Sequence, residues 1–242
     1  MEFTYDAYQR LLQSLQENGY RFASYHNWQE FDKCVILRHD IDTDIAKALR
    51  MAQVEQAYGN SVSSTYFVLL TSDFYNVASM KNLKMLRAIV NCGHEIGLHF
   101  DEIQYPEAVG NVELLKKLII KEVGILSELL GSPVTTVSMH RPSKQILDSN
   151  LKIPGIINSY GDDFFKGFKY LSDSRRRWRE PVEEIVASGQ FRKLHILTHA
   201  FWYNEEELNI KQSIESFINR ASVDRYQTMS ENITDLQNIM SM

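Results

Sequence analysis

The sequence predicts an α/β fold in which parallel strands alternate with helices and close into a barrel. The chain has 242 residues, 44% of them hydrophobic and 24% charged, which suits one large domain with a sizeable core. Short apolar or β-branched runs alternate with amphipathic segments, a pattern typical of parallel strands joined by helical crossovers. Roughly six or seven such units favour a barrel over an open sheet. Without an internal repeat or a low-complexity linker, residues 1–242 are predicted to form a single domain.

The elements follow from the spacing of apolar residues and from the glycines that end the helical segments. Residues 5–18 carry Tyr8, Leu11, Leu12 and Leu15 at helical spacing and end at Gly19. Further helices are predicted over 44–58, 80–91 and 112–130, ending at Gly59-Asn60, Gly93 and Gly131, with a helical region over 205–242. Strands are predicted over 35–39, 63–70, 94–99, 134–139 and 194–197, with shorter, less regular strands within 153–170. The first helix and the C-terminal region are expected to pack on the barrel.

Acidic and histidine residues stand where several predicted strands end. The pairs are Asp40 and Asp42, His99 and Asp101, His140 and Arg141, and Thr198 and His199. In parallel α/β folds, ligands bind at the C-terminal ends of the strands. One such residue at one strand end is ordinary, but four strand ends in register favour a functional site on one rim.

The stretch after the first strand is the most acidic part of this rim. Asp40 and Asp42 face the same side of an extended chain, and His39 faces the other. Crowded carboxylates repel each other and lose hydration, so that a cation or a shared proton would relieve the cost. In the alternative interpretation Asp44 caps the next helix and the other acids are solvated loop residues.

A mixed set of oxygen and nitrogen ligands suggests a divalent metal ion. His99 lies nearer the rim than His94, which is expected to be a core or supporting histidine. Asp42 and His99 form a pair suited to zinc or a similar ion. The third ligand is His140 by position, with Asp101 the next candidate.

With a metal ion in place, the remaining rim residues suggest a hydrolase. Asp40 could take the proton of the attacking water, and His199 could donate a proton to the leaving group. Arg141 is expected to pair with Asp40 and keep it ionised. Together these roles describe a metal-dependent amide or ester hydrolase.

Five short motifs resemble those of the polysaccharide deacetylase family, carbohydrate esterases that share a distorted seven-stranded (β/α) barrel. The matching stretches are 39–42, 93–99, Arg141-Pro142, 170–174 followed by Trp178, and 197–199, with Trp202 nearby. The resemblance covers roughly 35–203. The motifs at 93–99 and 197–199 are specific together, whereas the third and fourth are weak alone.

The resemblance implies a role for each matching residue. Asp40 is the base, Asp42 and His99 bind metal, Arg141 orients the base, and Asp173 tunes the acid His199. The family's second metal histidine lies four residues after the first, and this position is Ile103 here. His140 is therefore expected to replace it, with Asp101 or a degraded site as alternatives.

The implied activity is removal of an acetyl group from an N-acetylated (or O-acetylated) sugar or glycan precursor with a divalent metal ion, for which zinc is the best candidate. Trp178, Trp202 and Tyr203 are expected to stack on sugar faces, and the basic run 175–179 to hold a phosphate. The alternatives are an inactive, carbohydrate-binding relative and an amidohydrolase that acts on a non-sugar amide.

Composition limits the classes of binding partner and the cellular compartment that we expect. A net charge of −5 argues against nucleic-acid binding, and no stretch approaches the roughly 20 apolar residues of a membrane span. Cys34 and Cys92 stand in apolar surroundings and are expected to be free thiols. The N-terminal residues lack the pattern of a signal peptide, so the expected location is cytoplasmic. The oligomeric state stays open.

Overall fold

Parallel strands form the central sheet of the chain, which a computed structural model describes over residues 1–59 and 61–240. The strands are β1 (Arg21–Ala23), β2 (Cys34–Ile41), β3 (Ser64–Val68), β4 (Glu95–Asp101), β5 (Thr136–His140), β6 (Ile157–Asn158), β7 (Lys169–Ser172) and β8 (Lys193–Thr198). Their order across the sheet is β6-β5-β4-β3-β2-β8-β7. The short β1 pairs with residues 34–36 of β2, and β3 pairs with residues 37–41.

The sheet is curled strongly enough to form a barrel interior. The Arg38 guanidinium of β2 lies 3.5 Å from the hydroxyl of Ser159, which directly follows β6. In a flat sheet these two strands, four positions apart, would be about 19 Å from each other. The predicted distorted (β/α)7 barrel is therefore confirmed, with β6 and β7 at the two ends of the sheet.

Helices connect the strands and cover the outside of the barrel. They are α1 (Tyr5–Glu17), α2 (Ile45–Tyr58), α3 (Met80–Asn91), α4 (Val112–Leu130), α5 (Lys144–Asp148), α6 (Asp162–Phe165), α7 (Val182–Ser188), α8 (Ile210–Asn232) and α9 (Leu236–Ile239). The Asp44 side chain accepts hydrogen bonds from the first amides of α2, as the capping interpretation expected. Gly131 ends α4 in the left-handed conformation with φ of 74°. Asn60 and residues 241–242, included in the predicted helix stop and C-terminal region, lie outside the described residues.

Aromatic side chains fill the barrel interior around one histidine. His195 of β8 lies beside Tyr25, Phe164 and Phe168, and its Nε2 is 2.7 Å from the Tyr25 hydroxyl. Burial and the nearby Arg38 lower the pKa of His195 to about 3, so the imidazole is neutral. His195 is therefore part of the packed interior below the rim.

The C-terminal helix α8 touches the barrel at few points. The Phe217 ring packs between Phe74 and Phe201 with centroid distances of 5.8 and 5.4 Å, and Arg220 pairs with Asp44. Most other α8 side chains are exposed. Among the described residues, no helix is both long and apolar enough to cross a membrane.

Candidate metal centre

Three strand ends on the rim bring their metal-ligand side chains to one point. Asp42 follows β2, His99 lies in β4, and His140 ends β5. The Asp42 Oδ1 atom is 3.3 Å from His99 Nε2 and 3.4 Å from His140 Nδ1, and these two nitrogens are 3.2 Å apart. The structure thus groups the three residues that the sequence predicted as ligands.

The spacing and chemistry of this triad fit a divalent ion. Donor atoms around a tetrahedral zinc, at bonds of about 2.0–2.1 Å, lie about 3.3 Å from each other. The buried Asp42 Oδ1 atom has no hydrogen-bond partner among the described residues. His99 Nδ1 bonds to the Ser138 hydroxyl at 2.6 Å, which turns Nε2 toward the centre. Burial raises the pKa of Asp42, but the imidazoles of His140 and His99 lower it by more, to well below its usual range.

Asp101, the second candidate for the third ligand, is engaged elsewhere. Its carboxylate accepts a 2.7 Å bond from Arg141 Nη2 and a 3.4 Å bond from the backbone amide of Ile103. The Ile103 side chain is 58% exposed on the same rim. Of the two candidates, His140 is therefore the residue that completes the triad.

The predicted pairing of Arg141 with the base Asp40 is wrong. Arg38 makes it instead, with Nε 2.8 Å from Oδ1 and Nη2 2.8 Å from Oδ2 of Asp40. Residues two apart on a strand face the same side, so Arg38 and Asp40 meet inside the barrel. Arg141 follows β5 with a left-handed φ of 51° and bonds to Asp101 instead. Burial raises the pKa of Asp40, but the Arg38 guanidinium together with His99 and His199 lowers it by more, so the pKa is below the usual value.

The histidine at the end of β8 faces the triad from the other side. His199 Nδ1 is 2.6 Å from Asp173 Oδ1, and its Nε2 is 3.8 Å from Asp42 Oδ2. The buried Asp173 also accepts from the backbone amide of His199 at 3.1 Å. Burial lowers the pKa of His199, but the carboxylates of Asp173, Asp42 and Asp40 together raise it by more, to about 9. The structure therefore places Asp173 where it was predicted to tune His199.

The predicted substrate-binding aromatic residues are not equivalent. Tyr203 is fully buried against Phe3 and Tyr8, so the prediction that it stacks on a sugar is wrong. Its position after Trp202 suggested the rim, but the backbone turns it into the core. Trp178 and Trp202 are half-buried, and their contact with a substrate stays a prediction.

The basic run 175–179 and His94 do not contribute side chains to the triad. In the basic run, Arg176 pairs with Glu207 at 2.6 Å, while Arg175, Arg177 and Arg179 are exposed. His94 Nδ1 lies 3.0 Å from the Ser64 hydroxyl in the core, as expected of a supporting histidine.

Sequence reasoning missed two residues that serve the centre, Arg38 and Ser138. Both could have been found from the two-residue period of a strand. Arg38 shares a face with Asp40, and Ser138 shares a face with His140 and sits opposite His99 in the β4–β5 ladder.

Comparison with known proteins gives similar solved structures and no sequence relative. No protein-family model matches the sequence, and no curated protein matches it. The chain is similar to a carbohydrate esterase of family CE4 from Streptococcus mutans, with 17% identity, a TM-score of 0.49, and coverage of 88% of this chain and 90% of that one.

Two further structures show comparable similarity. One is the catalytic domain of a peptidoglycan N-acetylglucosamine deacetylase from Eubacterium rectale, with 14% identity, a TM-score of 0.45, and coverage of 78% of this chain and 84% of that one. The other is a peptidoglycan deacetylase from Bacillus subtilis, with 15% identity, a TM-score of 0.43, and coverage of 87% of this chain and 98% of that one. The first is named as an esterase and the other two are named as peptidoglycan deacetylases. What the site can do follows from its own side chains.

Proposed function

We propose that this chain is a metal-dependent hydrolase that removes an acetyl group from an N-acetylated (or O-acetylated) sugar or glycan precursor. One observation carries the proposal: the Asp42, His99 and His140 triad has a base on one side and an acid on the other. Asp40 Oδ2 lies 3.5 Å from His99 Nε2, and His199 Nε2 lies 3.8 Å from Asp42 Oδ2.

The residues around the triad divide the proton transfers between them. A divalent ion held by the triad would supply Lewis-acid polarisation of the acyl carbonyl and would acidify water. Asp40, kept ionised by Arg38, accepts the proton of the attacking water. His199, with a pKa of about 9, is protonated near neutral pH and donates its proton to the leaving nitrogen or oxygen. Asp173 holds the His199 ring in the orientation that this transfer needs.

Zinc and an acetylated sugar are the proposed ion and substrate. One carboxylate oxygen and two imidazole nitrogens at tetrahedral spacing are a donor set that zinc prefers. The sugar substrate is supported by the resemblance of the motifs to polysaccharide deacetylases. The half-buried indoles of Trp178 and Trp202 offer faces on which a sugar could stack. The cytoplasmic location stays a prediction.

Metal content and acetate release test the proposal together. Purified protein loaded with zinc is expected to hold close to one ion per chain by mass spectrometry and to release acetate from N-acetylglucosamine oligomers. Asp42→Ala is expected to lose both the zinc and the activity. His199→Ala, the matched control, is expected to keep the zinc and lose the activity.

Two results would contradict the proposal in different ways. No bound metal under any loading condition would rule out the metal centre. Release of acetate from simple amides but not from any acetylated sugar or nucleotide sugar would favour the non-sugar amidohydrolase.

A further inference from the structure

An apolar pocket opens on the rim of the barrel that carries the triad. It measures about 450 Å³, within the range of ligand pockets, and lies between the segments that follow β4 and β5. Its wall includes Arg141, the residue directly after the ligand His140, and Glu102, the residue directly after Asp101. The pocket wall therefore includes a residue that is directly bonded along the chain to a residue of the triad.

Most of the polar side chains in the wall of this pocket already have partners. Arg141 bonds to Asp101, and the Glu102 carboxylate accepts from both the amide and the hydroxyl of Ser143. The Asn111 side chain caps α4 through the amide of Leu114. What the pocket offers a ligand is therefore mainly its apolar surface, formed by Ile103, Pro106, Val109, Val112, Leu115 and Ile146.

Two of these apolar side chains are exposed to solvent. Ile103 is 58% exposed and Val109 is 80% exposed. Covering them with an aliphatic group would remove apolar surface from water, which favours binding. Ile103 also occupies the position at which the resembling motif would carry a second metal-binding histidine, so here this position contributes to the pocket wall.

The two sides of the triad face different parts of a substrate. His140 faces Oδ1 of Asp42 and belongs to β5, next to the pocket, whereas His199 faces Oδ2 and follows β8. The acid must lie beside the leaving group that it protonates. The leaving sugar amine or hydroxyl therefore points toward His199, and the acyl carbon chain points toward β4, β5 and the pocket.

We infer that this pocket is an acyl-chain subsite, so that the enzyme hydrolyses aliphatic N-acyl groups longer than acetyl, with Ile103 as a specificity-determining residue. The inference rests on the proposed function. In the reaction, the water oxygen bonds to the acyl carbon, the carbon–nitrogen bond breaks, and the amine nitrogen takes a proton. The acyl group then leaves as a carboxylate with its chain in the pocket.

Calorimetric titration of the zinc-loaded protein with acetate, butyrate, hexanoate and octanoate tests the subsite without relying on turnover. The dissociation constant is expected to fall about fourfold for each added methylene until the pocket is filled. Ile103→Asn is expected to weaken hexanoate binding severalfold while leaving acetate binding unchanged. Ile218→Asn, at an isoleucine of α8 that is also 58% exposed, is the matched control and is expected to bind like wild type.

Hydrolysis of N-acetyl and N-butyryl glucosamine oligomers completes the test. The N-butyryl substrate is expected to have the higher kcat/KM, and Ile103→Asn to reverse this preference. Equal affinity for all four carboxylates, or equal losses in both variants, would overturn the subsite. If acetate release and zinc content are nevertheless normal, the proposed function stands. Chain-dependent binding without hydrolysis of any N-acyl sugar would overturn both.

Discussion

At the scale of single residues, the base Asp40 depends on a buried cation from its own strand. The Arg38 side chain is 1% exposed and makes two 2.8 Å bonds to Asp40. Its guanidinium lies between the rings of Phe67 and Tyr160, at 5.3 and 4.9 Å from their centroids. The aromatic rings fix the guanidinium plane, so that Arg38 orients the carboxylate as well as neutralising it.

Replacing Arg38 should therefore destabilise the fold strongly. Arg38→Met leaves the buried Asp40 without its cation, and we expect a loss of about 3–5 kcal/mol in the free energy of unfolding. Arg50→Met removes the exposed pair with Glu205 and should cost less than about 1 kcal/mol. Urea unfolding of both variants measures the difference.

We predict that Arg38→Met loses stability because the charge of Asp40 is left unpaired, and not only because packing is lost. Adding Asp40→Leu to Arg38→Met removes the unpaired charge and should recover part of the lost stability. Equal losses for Arg38→Met and Arg50→Met would show that the pair does not have the role assigned to it.

The residues at strand ends were predictable, and the pairing between them was not. Asp42, His99 and His140 each follow an apolar run, so that the parallel topology alone brings them to one rim. The partner of Asp40 depends on which side chain reaches it inside the curled sheet. Arg38 and Arg141 both lie near the C-terminal end of a strand. Which of them pairs with Asp40 depends on the curvature of the sheet and on the left-handed backbone of Arg141.

At the scale of elements, a glycine in β4 lets neighbouring side chains cross the barrel interior. A Cβ atom on Gly97 would lie 2.5 Å from Phe67 Cε1 and 2.7 Å from Thr136 Oγ1. Phe67 belongs to β3 and Thr136 to β5, so side chains from both neighbouring strands use the space above Gly97. The packing of β4 against the side chains of β3 and β5 thus depends on the absence of a side chain at Gly97.

Alanine at two glycines should have opposite effects on stability. Gly97→Ala forces Phe67 or β4 to shift and is expected to cost about 1–3 kcal/mol. Gly124→Ala, in α4 with open space around it, is expected to add up to about 1 kcal/mol because alanine favours a helix. Thermal unfolding should show a lower Tm for the first and a higher Tm for the second. A raised or unchanged Tm in Gly97→Ala would contradict the close packing.

The length of an element decided how well it could be predicted. Strands β2, β3, β4, β5 and β8 and the helices α1 to α4 were predicted to within a few residues, because their apolar pattern repeats several times. The strands β1, β6 and β7 have between two and four residues, too few for a period to show. Their pairing comes from the sheet around them, and not from their own sequence.

At the scale of the whole molecule, one buried carboxylate joins the N-terminal helices to the sheet. Glu55 of α2 accepts hydrogen bonds from Tyr8 of α1 at 2.5 Å and from Ser64 and Tyr66 of β3 at 2.7 Å each. His39 Nε2 of β2 lies 2.9 Å from the same carboxylate. Glu55 therefore fixes both helices on the outer face of the barrel, opposite the face that carries Asp40.

This network should make the stability of the whole domain sensitive to acid. Burial raises the pKa of Glu55, but His39, His94 and the Ser64 hydroxyl together lower it by more, from 4.5 to about 2. Because the folded-state pKa is the lower one, the stabilisation is fully present above about pH 4.5 and is lost as the pH falls toward about 2. The difference in pKa corresponds to about 3 kcal/mol.

Glu55→Gln isolates this contribution from those of the other acids. The variant should be less stable than wild type near neutral pH, because its amide cannot accept all four bonds and carries no charge. As the pH falls from 7 toward 2, this difference should narrow by about 3 kcal/mol, since wild-type Glu55 becomes protonated. Urea unfolding followed by tryptophan fluorescence at several pH values measures this difference in the free energy of unfolding.

Glu205→Gln, at a mostly exposed acid, is the control and should have the stability of wild type at every pH. A difference between Glu55→Gln and wild type that stays constant with pH would show that the Glu55 charge does not contribute, because a purely steric or hydrogen-bonding role does not titrate.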